Sequence, residues 1–138
     1  MTEKTFFRWT DSMSVQSVEI DNQHKELIKM LNELYDAFMK KEHKIKAGAI
    51  VDRMWAYTNY HFTTEEKYFS MFNYAGAESH IKEHELFRSK VEEFMDKFKK
   101  NHSALTYDLM NFLRSWLNNH IMETDQKYVL CFTHNGVK

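Results

Sequence analysis

The stretch SHIKEHELF, residues 79–87, sets His80 and His84 four apart among lysines and glutamates. On an α-helix that spacing points both imidazoles the same way, about one turn apart. Such a pair is either a surface coincidence or one half of a metal site. Other groups able to hold a metal recur along the chain. His61 and Glu65 are also four apart, and His24, His120 and Asp125 stand further out. Imidazole with carboxylate suits a divalent transition metal. A single His on an apolar stripe is more often a hydrogen-bonded core residue than a ligand. What decides between these is where the elements carry each residue.

Four stretches show helical periodicity. They run over about 21–40, 44–72, 78–100 and 103–130, with Asp21 and Ser103 as N-caps. NYAGAES (73–79) is a clear break and KKNHS (99–103) a softer one. Proline is absent and glycine occurs only three times, too few turn formers for a β-rich domain. Short connections favour antiparallel neighbours, so the fold predicted is all-α: a single domain, 1–138, forming an up-down-up-down antiparallel four-helix bundle. Residues 1–20 read as an extended arm whose Phe6, Phe7, Trp9 and Val15 pack on the bundle.

Each helical stripe is apolar except at one place. With a rise of about 1.5 Å per residue, His24, His61, His84 and His120 all stand roughly 26–28 Å above the turn end of such a bundle. Glu65 and His80 lie about one turn higher. Five buried imidazoles and two buried carboxylates carry a large desolvation cost without a compensating charge, and a metal pair supplies one. They are too many for one tetrahedral zinc and suit two metals with bridging carboxylates. The Glu-x-x-His pairs of ferritin-like di-iron bundles are absent, which argues against that chemistry. His43, His102 and His134 fall at turns or in the tail and read as solvent-facing, as do Glu66 and Glu123.

The pieces IDNQH (20–24), HFTTEE (61–66), HIKEH (80–84) and HIMETDQKY (120–128), with RWTDSMSV (8–15) upstream, resemble the hemerythrin family in its short single-domain form. All occur in order over nearly the whole chain. The resemblance implies two non-haem iron ions bridged by an oxo or hydroxo group. His80, His84 and His120 would hold one iron, His24 and His61 the other, and Glu65 and Asp125 would bridge them. The second iron would keep a vacant position for O2, and Leu27, Phe62, Trp116 and Ile121 would form the O2 pocket. Helical spacing permits that pocket, although the same four residues also suit ordinary core. Spacing alone would select Glu123 rather than Asp125, because a five-residue step turns about 140° around a regular helix. The resemblance favours Asp125, so either the helix is locally distorted there or Asp125 reaches in from the side.

The function implied is reversible O2 binding for carriage, storage or delivery, by a protein that is not an enzyme. Two alternatives stand beside it: an O2 or redox sensor acting through a partner, and a di-iron peroxidase or oxidase. An enzyme would want an inward acid beyond the bridges, and a sensor an output domain; the chain shows neither. A net charge of −1 argues against a nucleic-acid surface. No apolar run approaches a membrane span and the N-terminus lacks a secretion signal. The only cysteine, Cys131, excludes an intrachain disulfide and reads as a packed or free thiol. A cytoplasmic monomer is expected, with O2 as its ligand and any protein recipient of that O2 unspecified.

Overall fold

A computed structural model of the chain describes residues 6–41, 46–100 and 107–138. It is a four-helix bundle, with no strand among the described residues. The helices are α1 (Val18–Met39), α2 (Gly48–Phe72), α3 (Ala77–Lys100) and α4 (Tyr107–Asn119). The fourth then changes character, through a π-helical stretch at His120–Thr124 and a 3-10 turn at Asp125–Tyr128, into a short α5 (Val129–His134). α1 packs on α2 and α4, and α2 packs on α3. Among the described residues, no helix is long and apolar enough to cross a membrane.

Several boundaries differ from expectation. α1 begins at Val18, not near residue 21, and its N-cap is Ser17, whose hydroxyl accepts from Ile20 N. Ser17 has extended backbone while Asp21 is already helical, which frees the Asp21 carboxylate for another task. It accepts from Ser14 Oγ at 2.6 Å and Val15 N at 2.9 Å, tying the arm to the first turn. The expected start of the second helix, the Ser103 cap, His43 and His102 lie outside the described residues. α2 ends where Asn73 adopts φ 50° and ψ 49°, a left-handed cap that Asn tolerates.

The arm is less extended than its sequence suggested, because Asp11–Met13 form a 3-10 turn. Phe7 and Val15 are buried, and Phe6 and Trp9 pack partly buried against the core. Phe7 N donates to Asn32 Oδ1 while Asn32 Nδ2 donates to Phe7 O, a two-bond clasp on α1. Asp21→Ala removes two acceptors near a buried segment. The expected loss is about 1–3 kcal/mol in denaturant unfolding, with faster hydrogen exchange at the Val15 amide.

Among the described residues two apolar clusters result. The larger holds Leu27, Leu31, Leu34, Phe62, Phe87 and Ile121 among others. The smaller, nearer the end where the arm joins, holds Val15, Ile20, Phe69, Tyr128 and Phe132. Along α1, His24 falls between Ile20 and Leu27. Along α2, His61 and Glu65 fall between the larger cluster and Phe69. The polar layer is therefore sealed by apolar packing above and below.

Candidate metal centre

Each helix contributes to that layer from its inner face. α1 supplies His24, α2 His61 and Glu65, α3 His80 and His84, and the π stretch His120; all are buried, as is Asp125. The π stretch resolves the spacing conflict at Asp125. Its backbone N–H donates to His120 O, five residues back. That wider turn carries Asp125 round to the face His120 occupies, as inserted π turns do at many functional sites. Glu123 is left exposed, as expected.

The seven side chains meet around the two carboxylates. Asp125 Oδ1 lies 3.0 Å from His80 Nε2 and 3.0 Å from His120 Nε2, and Asp125 Oδ2 lies 3.0 Å from His24 Nε2. Glu65 Oε1 lies 3.1 Å from His84 Nε2 and 3.5 Å from both His61 Nε2 and His80 Nε2. Ligating atoms of Glu65, His80, His84 and His120 fall within 4.8 Å of one another, and so do those of His24, His61, Glu65 and Asp125. The arrangement is two groups sharing Glu65, with Asp125 between them.

The chemistry of this set calls for positive charge. Burial opposes a proton on His120 and His80, yet Asp125 and Glu65 pull both imidazoles upward, His120 furthest. Burial likewise opposes charge on Glu65, but the facing imidazoles of His120, His80 and His84 hold its carboxyl well below the usual range. Asp125 is also held low, with His120 and His24 outweighing burial and the Glu65 charge. Burial pushes His61 down to about 3, so it is neutral. Its Nδ1 faces Gln23 Oε1 at 2.7 Å and must donate, leaving an Nε2 lone pair 3.0 Å from His24 Nε2. His84 Nε2 and His120 Nε2 are 3.2 Å apart. Glu65 Oε1 and both Asp125 oxygens are buried without a hydrogen bond. Orphaned anionic oxygens and converging ring nitrogens fit a pair of metal cations.

Several residues around this set were not singled out from sequence. Glu66, expected in solvent, is half-buried and accepts from His84 Nδ1 at 2.7 Å. Glu83 accepts from His120 Nδ1 at 3.0 Å and from Thr124 Oγ1. The Tyr128 hydroxyl donates to Glu65 Oε2 at 2.6 Å. Burial, with Asp125 and Glu65 nearby, pushes that phenol well above its ordinary value, so it keeps its proton. Gln23, Glu66 and Glu83 each sit beside a candidate ligand in sequence but serve one on a different helix. Adjacency was a visible signal, whereas the pairing depends on helix register. His134 is exposed, and Cys131 is a free, half-buried thiol, both as expected.

Against one side of the set lies an apolar cavity of about 20 Å³. His24, His61 and His120 border it, and Leu27, Phe62, Trp116 and Ile121 all line it. Trp116 stacks on the His120 ring at 4.4 Å, and Phe62 on the His84 ring at 3.8 Å.

Residues 17–130 match the family described as the hemerythrin HHE cation binding domain. The chain is 35% identical over 127 residues to a bacteriohemerythrin of Pseudomonas aeruginosa strain PAO1, covering 92% of this chain and 82% of that one. It is 33% identical over 115 residues to a bacteriohemerythrin of Aquifex aeolicus, covering 80% and 86%. In three dimensions it is similar to a crystal structure of wild-type hemerythrin, with a TM-score of 0.86 at 27% identity over 93% of this chain and 98% of that one. A hemerythrin point mutant superposes with a TM-score of 0.88 at 26% identity, covering 94% and 99%.

Proposed function

The chain belongs to the hemerythrin family, and we propose that it binds O2 reversibly at two non-haem iron ions, for carriage, storage or delivery. His80, His84 and His120 would hold one ion and His24 and His61 the other, with the carboxylates of Glu65 and Asp125 shared between them. When bound, a ferrous pair would supply the two electrons that O2 takes up on binding and returns on release.

The observation that carries this reading is the cavity. About 10–15 Å³ holds one water-sized guest, so a cavity of about 20 Å³ suits a small guest such as a diatomic. It borders both histidines of the two-histidine group and neither His80 nor His84. The cavity thus meets the two-histidine group through both of its rings and the other group through His120 alone, which supports a guest on the side where an ion would have fewer protein ligands. Leu27, Phe62, Trp116 and Ile121 give it an apolar wall with few partners for water, which needs two to four polar neighbours to stay. Tyr128 fixes the orientation of Glu65, and the outward hydrogen bonds of His61, His84 and His120 fix their rings.

Stopped-flow mixing of the anaerobic ferrous protein with O2, followed by O2 removal, tests the reading. A carrier gives a new charge-transfer band that disappears when O2 is withdrawn and returns on the next exposure. One-way conversion to the ferric form, with continuing consumption of reductant, would identify an oxidase instead.

A further inference from the structure

We propose that the two metal positions are made unequal by the charge on the outer hydrogen-bond partners of their histidines, so that the three-histidine position fills first. This rests on the metal reading above and concerns residues outside the ligand set. On the three-histidine side, His84 Nδ1 donates to Glu66 at 2.7 Å and His120 Nδ1 donates to Glu83 at 3.0 Å. Both acceptors are carboxylates. Glu83 is further anchored by Thr124 Oγ1, which reaches both of its oxygens. Glu66 is anchored by Arg88, whose Nη2 lies 3.5 Å away. On the two-histidine side, His61 Nδ1 donates to the neutral amide of Gln23, itself held by Thr64. His24 Nδ1 is buried with no hydrogen-bond partner.

A carboxylate accepting the far N–H makes an imidazole a stronger donor at its other nitrogen, and such partners contribute about 10–100-fold to metal affinity. Two rings on one side have that support, and neither ring on the other has it. The difference adds to the extra imidazole. It also leaves the weaker position on the side of the apolar cavity, where the ion must keep an exchangeable ligand. Glu66 and Glu83 are thus positioning residues: they act on the metal only through His84 and His120.

The test is anaerobic titration of the metal-free full chain with Co2+ against a fluorescent chelator, following both chelator signal and cobalt absorption. The wild type should take up two ions in separate steps. His61→Ala should delete the weaker step and leave the tighter one, which assigns the steps to the two positions. Glu83→Gln keeps an acceptor oxygen and removes only the charge; it should weaken the tighter step by about tenfold, and Glu66→Gln should do likewise. Gln23→Glu adds the missing charge on the other side and should strengthen the weaker step, narrowing the gap from below. A purely structural role would not give opposite shifts at opposite steps. Two equal steps in the wild type, or a tighter step unmoved by both Glu→Gln changes, would overturn the asymmetry while leaving the metal reading intact. No cobalt uptake would overturn both.

Discussion

Asp125→Ala is expected to leave the chain almost free of metal, whereas His84→Ala keeps part of it. The reason is the reach of one carboxylate. Asp125 Oδ1 stands 3.0 Å from ring nitrogens of His80 and His120, and Oδ2 stands 3.0 Å from His24. In the proposed site, removing it would take an anionic ligand from both positions at once, while His84 would serve one. The backbone cannot offer a substitute, because the π stretch directs residue 125 inward and leaves Glu123 in solvent. Iron per chain, measured after anaerobic loading and gel filtration, should fall from two toward zero in Asp125→Ala. It should fall toward one in His84→Ala and not at all in His134→Ala, whose side chain is exposed. Stability provides an independent readout. A ligand at a thousand times its dissociation constant stabilises the folded state by about 4 kcal/mol. Ferrous iron should therefore raise the unfolding midpoint of the wild type markedly and that of Asp125→Ala hardly at all. Two tightly held irons in Asp125→Ala would show that Glu65 alone bridges the pair.

The layer holding these residues was legible in the sequence because helical rise is nearly constant. Counting from the turns brings His24, His61, His84 and His120 to one level, and all four are buried there. Asp125 was not legible from periodicity, because one π turn shifts the phase of everything after it and leaves no compositional mark. The start of α1 was misplaced for a related reason. Ser17 and Asp21 both suit an N-cap, and the choice depends on whether the arm folds back to claim the Asp21 carboxylate. Glu66 and Glu83 were missed because their partners lie across the bundle. Sequence identifies which residues face inward, but it does not give the angular offset between helices that pairs Glu66 with His84 and Glu83 with His120.

Leu27→Ala should speed oxidation of the oxygenated protein several-fold without loss of iron. Leu27 is buried one turn from His24 and lines the cavity. With the cavity at about 20 Å³, one guest fills it and leaves little room beside it. Truncation to Ala removes three carbons from that wall. Water would then enter next to the bound guest, where the guest itself adds a polar partner to the few that the cavity wall offers. In the proposed site it would supply a proton, so that oxygen would leave as peroxide with the two electrons of the iron pair, and the oxidised pair would no longer bind O2. Ile121, fully buried on the same wall, should behave alike when truncated. The alternative is that any loss of core packing loosens the bundle and admits water generally. Leu34→Ala separates the two. Leu34 is fully buried on the same helix but does not line the cavity, and ten residues from His24 place it about 15 Å away along the axis. Both truncations should cost about 2–5 kcal/mol. Only Leu27→Ala should shorten the life of the oxygenated form, followed as decay of its visible band in air-saturated buffer. Equal decay in Leu27→Ala and Leu34→Ala at equal stability loss would assign the protection to the bundle as a whole and remove Leu27 from the O2 pocket.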